Sequence, residues 1–406
     1  MPDHEIFEQR SVSAKMAFSG GELKVKEYDE LSGFGVRALE GGRLGFAYCQ
    51  QESQLGNAVK EAARMARFSV KSGFSFAQPA KCGNPDITER AFEEPDFEML
   101  RAFVEDTRSA AEAKGGKARV ISSIESDSVS LRNTSGLDSS YPRTVFSIYA
   151  ECMHGDGFGY SFLTSHHLPP DLHALGGRAA EMAKDMQGAG KPDGGLYTVV
   201  MELESLDSLI ETLIPSFSGD WKRRGMTRLS EGKKLSEKLT IMEDGLSAGI
   251  NARPFDDEGT PSRKRPLIED GAVKAFLYDR ETAALSGAQD SGACTRESFD
   301  SPPSIGASNL VIPPGDVKDL SELGKHIEVH YAHGSHTANL TTGDIGLEVS
   351  GAFLVEGGKR KPVKGFMLSG NVFDMFSSIE ALEARQRAFG SLISPRIAFS
   401  SVRVVS

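Results

Sequence analysis

Gly33-Phe-Gly-Val-Arg37-Ala-Leu-Glu40-Gly-Gly-Arg43-Leu-Gly-Phe-Ala-Tyr-Cys49 reads as two β-prone runs around the turn Glu40-Gly41-Gly42. Glycine tolerates the positive φ that a tight hairpin turn needs, so the stretch predicts an antiparallel hairpin. The same chemistry recurs at Glu269-Asp270-Gly271 within Arg263 to Tyr278, and at Glu356-Gly357-Gly358 within Leu347 to Lys364. Two further hairpins follow from these turns. The three share turn residues and no sequence period, so they do not mark an internal repeat.

Outward from that hairpin, Leu23 to Lys26 alternates apolar and polar residues and predicts a strand. Gln51 to Val70 predicts an amphipathic helix, with Leu55, Val59, Ala62, Ala63 and Ala66 on one stripe. Pro79 to Pro95 reads as loop, and Phe97 to Lys114 as a second helix stopped by Gly115-Gly116. Ala118 to Leu163 holds short β-prone runs broken at Asn133 to Gly136 and at Gly155 to Gly157, the pattern of an antiparallel meander. Pro170 to Met186 predicts a third helix. The Gly/Pro-rich run at 188–195 is a linker, which divides an N-terminal domain at 1–190 from a C-terminal domain at 195–406. The second half opens with a strand at Leu196 to Met201 and a helix at Leu206 to Leu213, and closes with strands at Ile397 to Val404. The expected fold class is therefore α+β: two domains with largely antiparallel sheets.

Composition narrows the function. A net charge of −11 repels phosphate backbones and argues against a nucleic-acid partner. The basic run Arg263-Lys264-Arg265 reads as a solvated strand end. Four scattered cysteines without a CxxC pair, an opening MPDHEIFEQR without a basic start or apolar core, and no apolar run of about 20 residues predict a cytoplasmic protein with reduced thiols and no membrane partner.

Several segments could carry chemistry. His326, His330, His333 and His336 place four of the nine histidines within eleven residues. His326 to Tyr331 alternates as a strand. That sets Ile327, Val329 and Tyr331 toward the core and His326, Glu328 and His330 on the other face, roughly 6–7 Å apart. Two such imidazoles could converge on one metal; an exposed polar strand face is the simpler reading. Phe255-Asp-Asp-Glu-Gly-Thr-Pro261 carries three carboxylates that could share a proton or hold a hard cation, or form an acidic turn capped by Gly259. Gly245-Leu-Ser-Ala-Gly249 matches GxSxG, yet Asn251 to Pro254 follows too soon for the helix a nucleophile elbow requires. Cys294 sits among polar residues with nothing nearby to lower its pKa.

Taken together, five stretches resemble the TldD/PmbA (TldE) family: Gly219-Asp-Trp-Lys-Arg-Arg-Gly225, Phe255 to Pro261, Leu267-Ile-Glu-Asp-Gly271, Leu340-Thr-Thr-Gly-Asp344 and Lys361-Pro-Val-Lys-Gly365, with the hairpin at 33–49 ahead of them. They stand in the family's order across nearly the whole chain. In that family the TldD-type subunit is a zinc peptidase with an HExxxH helix and a downstream cysteine ligand. Anchored on Gly219-Asp220-Trp221, that window falls on Ile210 to Pro215, so both histidine positions are lost, to Ile210 and Pro215. Glu211 stays at the general-base position as a vestige, and 390–406 contains no cysteine. The resemblance thus implies a PmbA/TldE-type subunit without catalytic residues, cofactor or metal of its own. It implies a TldD-type partner that carries zinc, a peptide substrate, and a homodimer when the chain is alone. Its rivals are a metallopeptidase using His326, His330, His333 or His336, and a regulator of DNA gyrase without peptidase activity. Phe366 to Phe376, rich in phenylalanine and methionine, is a candidate contributor of apolar surface to a partner; a buried helix start is the simpler reading.

Overall fold

The computed structural model describes residues 1–169 and 171–406; the predicted helix start at Pro170 lies outside them. The first half is built on one sheet of β1 (Asp3–Ser19), β2 (Glu22–Glu40), β3 (Arg43–Cys49), β4 (Lys117–Asn133), β5 (Asp138–His154) and β6 (Gly157–Ser165). They run antiparallel throughout in the order β3-β2-β1-β4-β5-β6. Alternation on β5 sends Phe146, Ile148, Ala150 and Cys152 to one buried face. The hairpin at 33–49 forms as expected, with Gly41 and Gly42 at φ of +59° and +77°. The strand expected at Leu23 to Lys26 is part of the much longer β2, and β1 precedes it unannounced. The reason is that β1 is covered on both faces. Ile6 packs toward the first helix and its neighbour Phe7 toward the second half, which erases the alternation a half-buried strand would show.

Helices α1 (Leu55–Met65), α2 (Phe97–Glu112) and α3 (Leu172–Asp185) cover this sheet. α1 approaches β3 closely because Gly45 has no Cβ; one there would lie 1.9 Å from the Ala62 carbonyl oxygen. Asp96 and Asp171 cap α2 and α3 by accepting from the backbone N–H of Glu98 and Ala174.

The second half contains β7 (Gly195–Met201), α4 (Leu203–Leu213), α5 (Gly219–Arg223), β8 (Ile241–Asp244), β9 (Lys264–Glu269), β10 (Ala272–Val273), α6 (Arg280–Ser286), β11 (Cys294–Thr295), β12 (Ser304–Ile305), β13 (Leu310–Val311), β14 (His326–His333), β15 (Asp344–Glu356), β16 (Lys359–Val363), β17 (Phe366–Asn371), α7 (Val372–Ser377), β18 (Ile379–Phe389) and β19 (Leu392–Val405). The path β19-β17-β15-β14-β7 closes on itself, because β7 also pairs with β19. Its ladders are antiparallel except β14 with β7, and β13 joins β19 in parallel from outside the ring. α4 packs on these strands and buries Leu206, Leu209, Ile210 and Leu213 in the main core beside Phe217, Phe376 and Phe399. Phe366 to Phe376 follows the simpler reading, as part of the core, and not that of a partner surface. β17 is an interior strand and α7 closes the core, so Phe366, Leu368, Phe373, Met375 and Phe376 are buried and Met367 alone among the apolar residues is exposed.

The halves meet along a mixed seam. Phe7, Leu131 and Tyr141 of the first sheet pack against Ala252, Phe255 and Phe299 of the second half. Farther along, Tyr331 stacks on Tyr160 with ring centroids 3.9 Å apart. Its hydroxyl donates to the Tyr160 carbonyl at 2.6 Å and accepts from the Tyr160 N–H at 2.9 Å. Ile327 and Val329 face the core as expected, and Tyr331 does not. The ladder shifts register between Val329 and Tyr331, so Ala332 takes the core position and Tyr331 turns to the other half.

Candidate functional site

α4 has two faces. Leu206, Leu209, Ile210 and Leu213 form its core stripe, while Glu204, Asp207 and Glu211, spaced i, i+3 and i+7, share the opposite one. Burial pushes the Glu204 carboxyl up to about 7 against a restraining hydrogen bond from Tyr160. Burial, and then the charge of Glu211, pushes Asp207 up to about 7 as well. Glu211 is exposed and accepts a hydrogen bond from Ser335 Oγ at 3.2 Å. α4 ends at Leu213, and Pro215 lies in the 3₁₀ turn Ile214–Phe217 that follows.

Glu204 also lines a cavity of about 620 Å³ between the halves. Its lining includes Tyr160 and Phe162 of β6, His330 and Tyr331 of β14, and Arg360 and Arg387. His326, Glu328 and His330 share one face of β14, as the alternation predicts. His326 is fully buried, with Nδ1 at 2.8 Å from the Gly324 carbonyl and Nε2 at 3.9 Å from Glu328 Oε1. Burial opposes its charge, but Glu328 and the nearby carbonyls outweigh it and raise its pKa. Glu328 pairs with Arg360 at 3.0 Å, and burial lowers the pKa of His330 beside it. His333 Nε2 lies 3.2 Å from Ser350 Oγ, and His336 sits on an exposed turn beyond Gly334. Among the described residues, the three ligand atoms from His, Cys, Asp or Glu that come within 4.8 Å of one another belong to Asp256, Glu258 and Cys294, with no histidine among them.

That trio lies in the buried seam. Phe255 to Thr260 is buried throughout, and Gly259 turns at φ +82°. Asp256 Oδ1 accepts from the backbone N–H of Glu258 at 3.0 Å and Thr260 at 2.8 Å, and Oδ2 from that of Cys294 at 3.1 Å. Glu258 accepts from the Arg280 N–H at 2.7 Å and pairs with Arg37 of β2. Arg37 in turn holds Glu5 at 2.7 Å, which Arg296 reaches from the second half at 3.0 Å. The motif is thus an acidic turn, and it is also a latch of buried ion pairs across the two halves. Both carboxylate oxygens of Asp256 and of Glu258 are engaged by an N–H or a guanidinium, and Glu5 Oε2 has no partner. Burial, then Glu258 and Asp256, hold the Cys294 thiol well above its ordinary pKa, so it stays protonated. Gly245 to Gly249 is a loop in which Ser247 Oγ donates to the Asp244 carbonyl at 2.9 Å, and no helix follows the serine.

Family models match along the chain: PmbA/TldA metallopeptidase domain 1 at residues 4–66, the central domain at 90–187 and the C-terminal domain at 194–406. The chain belongs to the PmbA/TldD metallopeptidase family. An uncharacterized protein of Methanocaldococcus jannaschii is 30% identical over 382 residues, spanning 90% of this chain and 88% of that one. The solved structure of TldE from Thermococcus kodakarensis shares the PmbA/TldD fold at a TM-score of 0.90 and 23% identity, covering 100% of this chain and 97% of that one. A Thermotoga maritima structure named as a candidate modulator of a DNA gyrase matches at a TM-score of 0.90 and 20% identity, covering 99% and 96%.

The family name implies a metal, and the α4 window does not fit one. Zinc takes imidazole, thiolate or carboxylate ligands in tetrahedral array. Ile210 presents a hydrocarbon side chain to the core at 2% exposure, Pro215 has no donor, and Glu211 turns to a serine hydroxyl. The residues that sequence reasoning missed are Glu5, Arg37 and Arg296, which complete the latch. They lie in three distant segments. The signal available was Arg37, a lone charge in the apolar run Phe34 to Leu39; Glu5 stands among Asp3, His4 and Glu8, and nothing local sets it apart.

Proposed function

We propose that this chain is the non-catalytic, TldE-type subunit of a heteromeric peptidase whose TldD-type subunit carries the zinc. The observation behind this reading is Ile210, buried in the apolar core at the first ligand position of the family's metal helix, with Pro215 at the second. Glu211 keeps the carboxylate of that helix, and without a metal-bound water it has nothing to activate. The chain's task is to complete the chamber in which an extended peptide is held, and strand addition to a sheet edge is the binding mode that suits it. It acts in the cytoplasm, where its four free cysteines stay reduced.

Co-expression with a TldD-type chain that carries HExxxH tests this. The expected result is a stable heteromer that cleaves an unstructured peptide in a chelator-sensitive way. Expressed alone, the chain is expected to form a homodimer, so light scattering should give twice its 43.7 kDa. Failure of the two chains to associate at micromolar concentration would contradict the subunit assignment. A mass of 43.7 kDa for the chain alone would contradict the homodimer.

A further inference from the structure

β2 is paired on both sides for only half its length. Phe34 to Glu40 pair with β3 as well as β1, whereas Glu22 to Ser32 pair with β1 alone. That free stretch is exposed at every residue except Val25, which is half-buried. It displays Leu23, Tyr28 and Leu31 at 40%, 51% and 42% exposure. α1 packs on β3 and the doubly paired half of β2, and α2 lies over β1 and β4, so the free stretch runs between two helices.

β3 is also an edge. Its ladder is with β2, and on its outer side the chain returns at Lys71 to bridge its first residue, Arg43. Beyond that bridge an open groove of about 710 Å³ runs beside Ala47, Tyr48 and Cys49, with Lys60 and Arg64 of α1 on its rim. Tyr48 is 57% exposed.

Long β2 and short β3 give this side of the sheet a stepped outline, and such a step is complementary to itself. A two-fold axis perpendicular to the sheet, close to where β3 ends, sets β3 of a second copy against the free stretch of the first, and the reverse. The fit is good in length: the free stretch spans roughly 36 Å and β3 roughly 23 Å, at about 3.3 Å per residue. That axis also keeps each face of the sheet on its own side. Leu31 shares a face with Gly35, which is the ladder partner of Tyr48, so Leu31 and Tyr48 of the second copy lie on one side of the join. Glu30 shares the opposite face with Phe34, which packs on α1, so it is turned toward Lys60 and Arg64 of the second copy. Within one copy Lys15 pairs with Glu27 and Lys24 with Glu22, and no ion pair reaches Asp29, Glu30 or Lys60 among the described residues. Unpaired edges are templates for another chain, and charges on them guard against indiscriminate pairing. Charges that match across an axis select one partner.

We propose that the step between β2 and β3 is the interface of the homodimer, with Glu22 to Ser32 of each copy paired to β3 of the other. This rests on the homodimer read above. It joins two six-stranded sheets into one and covers Leu31 and Tyr48 in both copies.

Light scattering of the full chain at micromolar concentration, for the parent and for Leu31→Lys and Tyr48→Glu, tests the proposal. Both side chains are exposed, so each variant is expected to keep the parent's circular-dichroism spectrum. Each is expected to weaken association by roughly tenfold or more and to fall from twice 43.7 kDa toward 43.7 kDa. A mixture of the two variants forms a dimer with one untouched contact and one with opposite charges across it, so its mass is expected to rise again. A parent of 43.7 kDa would contradict the homodimer itself and this interface with it. A dimeric parent whose variants stay dimeric would leave the homodimer standing and overturn the interface, since the copies then meet elsewhere. Variants that stay dimeric and no longer bind a TldD-type chain would assign the step to that chain and overturn it too.

Discussion

Glu258 and Arg37 meet with side chains 1% and 2% exposed, far from any solvent that could screen them. Removing one partner of such a pair strands the other charge, so Glu258→Ala should cost about 3–5 kcal/mol. Urea denaturation reads this directly, and a variant within about 0.5 kcal/mol of the parent, the usual range for surface changes, would show that the latch is not stabilising. Glu204 gives a pH dependence. Its folded pKa is raised to about 7 from 4.5, so the folded state holds the proton more tightly than the unfolded chain. Stability from this group is fully present below pH 4.5 and is lost as pH rises through 7. Glu204→Gln should therefore melt with the parent at pH 4 and above it at pH 8. An equal difference at both values would contradict the assignment. The charges of the latch were not legible as a group in the sequence, because Glu5, Arg37, Glu258 and Arg296 are joined by tertiary pairing of distant segments. The triple carboxylate at Asp256 to Glu258 was visible, and its burial was not.

At the scale of elements, local chemistry carried far. The Gly-Gly and Asp-Gly turns placed all three hairpins, and apolar stripes placed α1, α2 and α4 to within a few residues. What failed was non-local. β1 lost its alternation because both faces are covered, and nothing in β7 or β19 announces that they pair and close a ring. On β14 the alternation held as far as Val329 and then broke at a register shift, which sends Tyr331 to the seam. α4 is the element on which the functional reading turns. Its core stripe includes Ile210, so a histidine there would bury an imidazole among hydrocarbon side chains. Ile210→His should lower stability by about 2–4 kcal/mol, from lost packing and an unpaired polar group. Denaturant midpoints test this; an unchanged midpoint together with zinc uptake would mean that the window is open to a metal after all.

For the whole molecule, the fold alone does not settle whether a chain is a peptidase, since one architecture can host many functions. The distinction rests on side chains at one helix end. Mostly antiparallel sheets, helices laid on the first of them and a closed ring of strands in the second half fix where that helix end lies. No helix among the described residues is long and apolar enough to cross a membrane. The seam joins the halves through apolar packing, the Tyr160–Tyr331 stack and the buried charges, so the chain presents its cleft as one unit. The central claim is that this unit performs no metal-dependent cleavage by itself. The most direct test is peptide hydrolysis by the purified chain alone, supplied with zinc and then with a chelator. The account predicts no cleavage of an unstructured peptide under either condition. Cleavage that the chelator abolishes, by a sample free of any TldD-type chain, would contradict it.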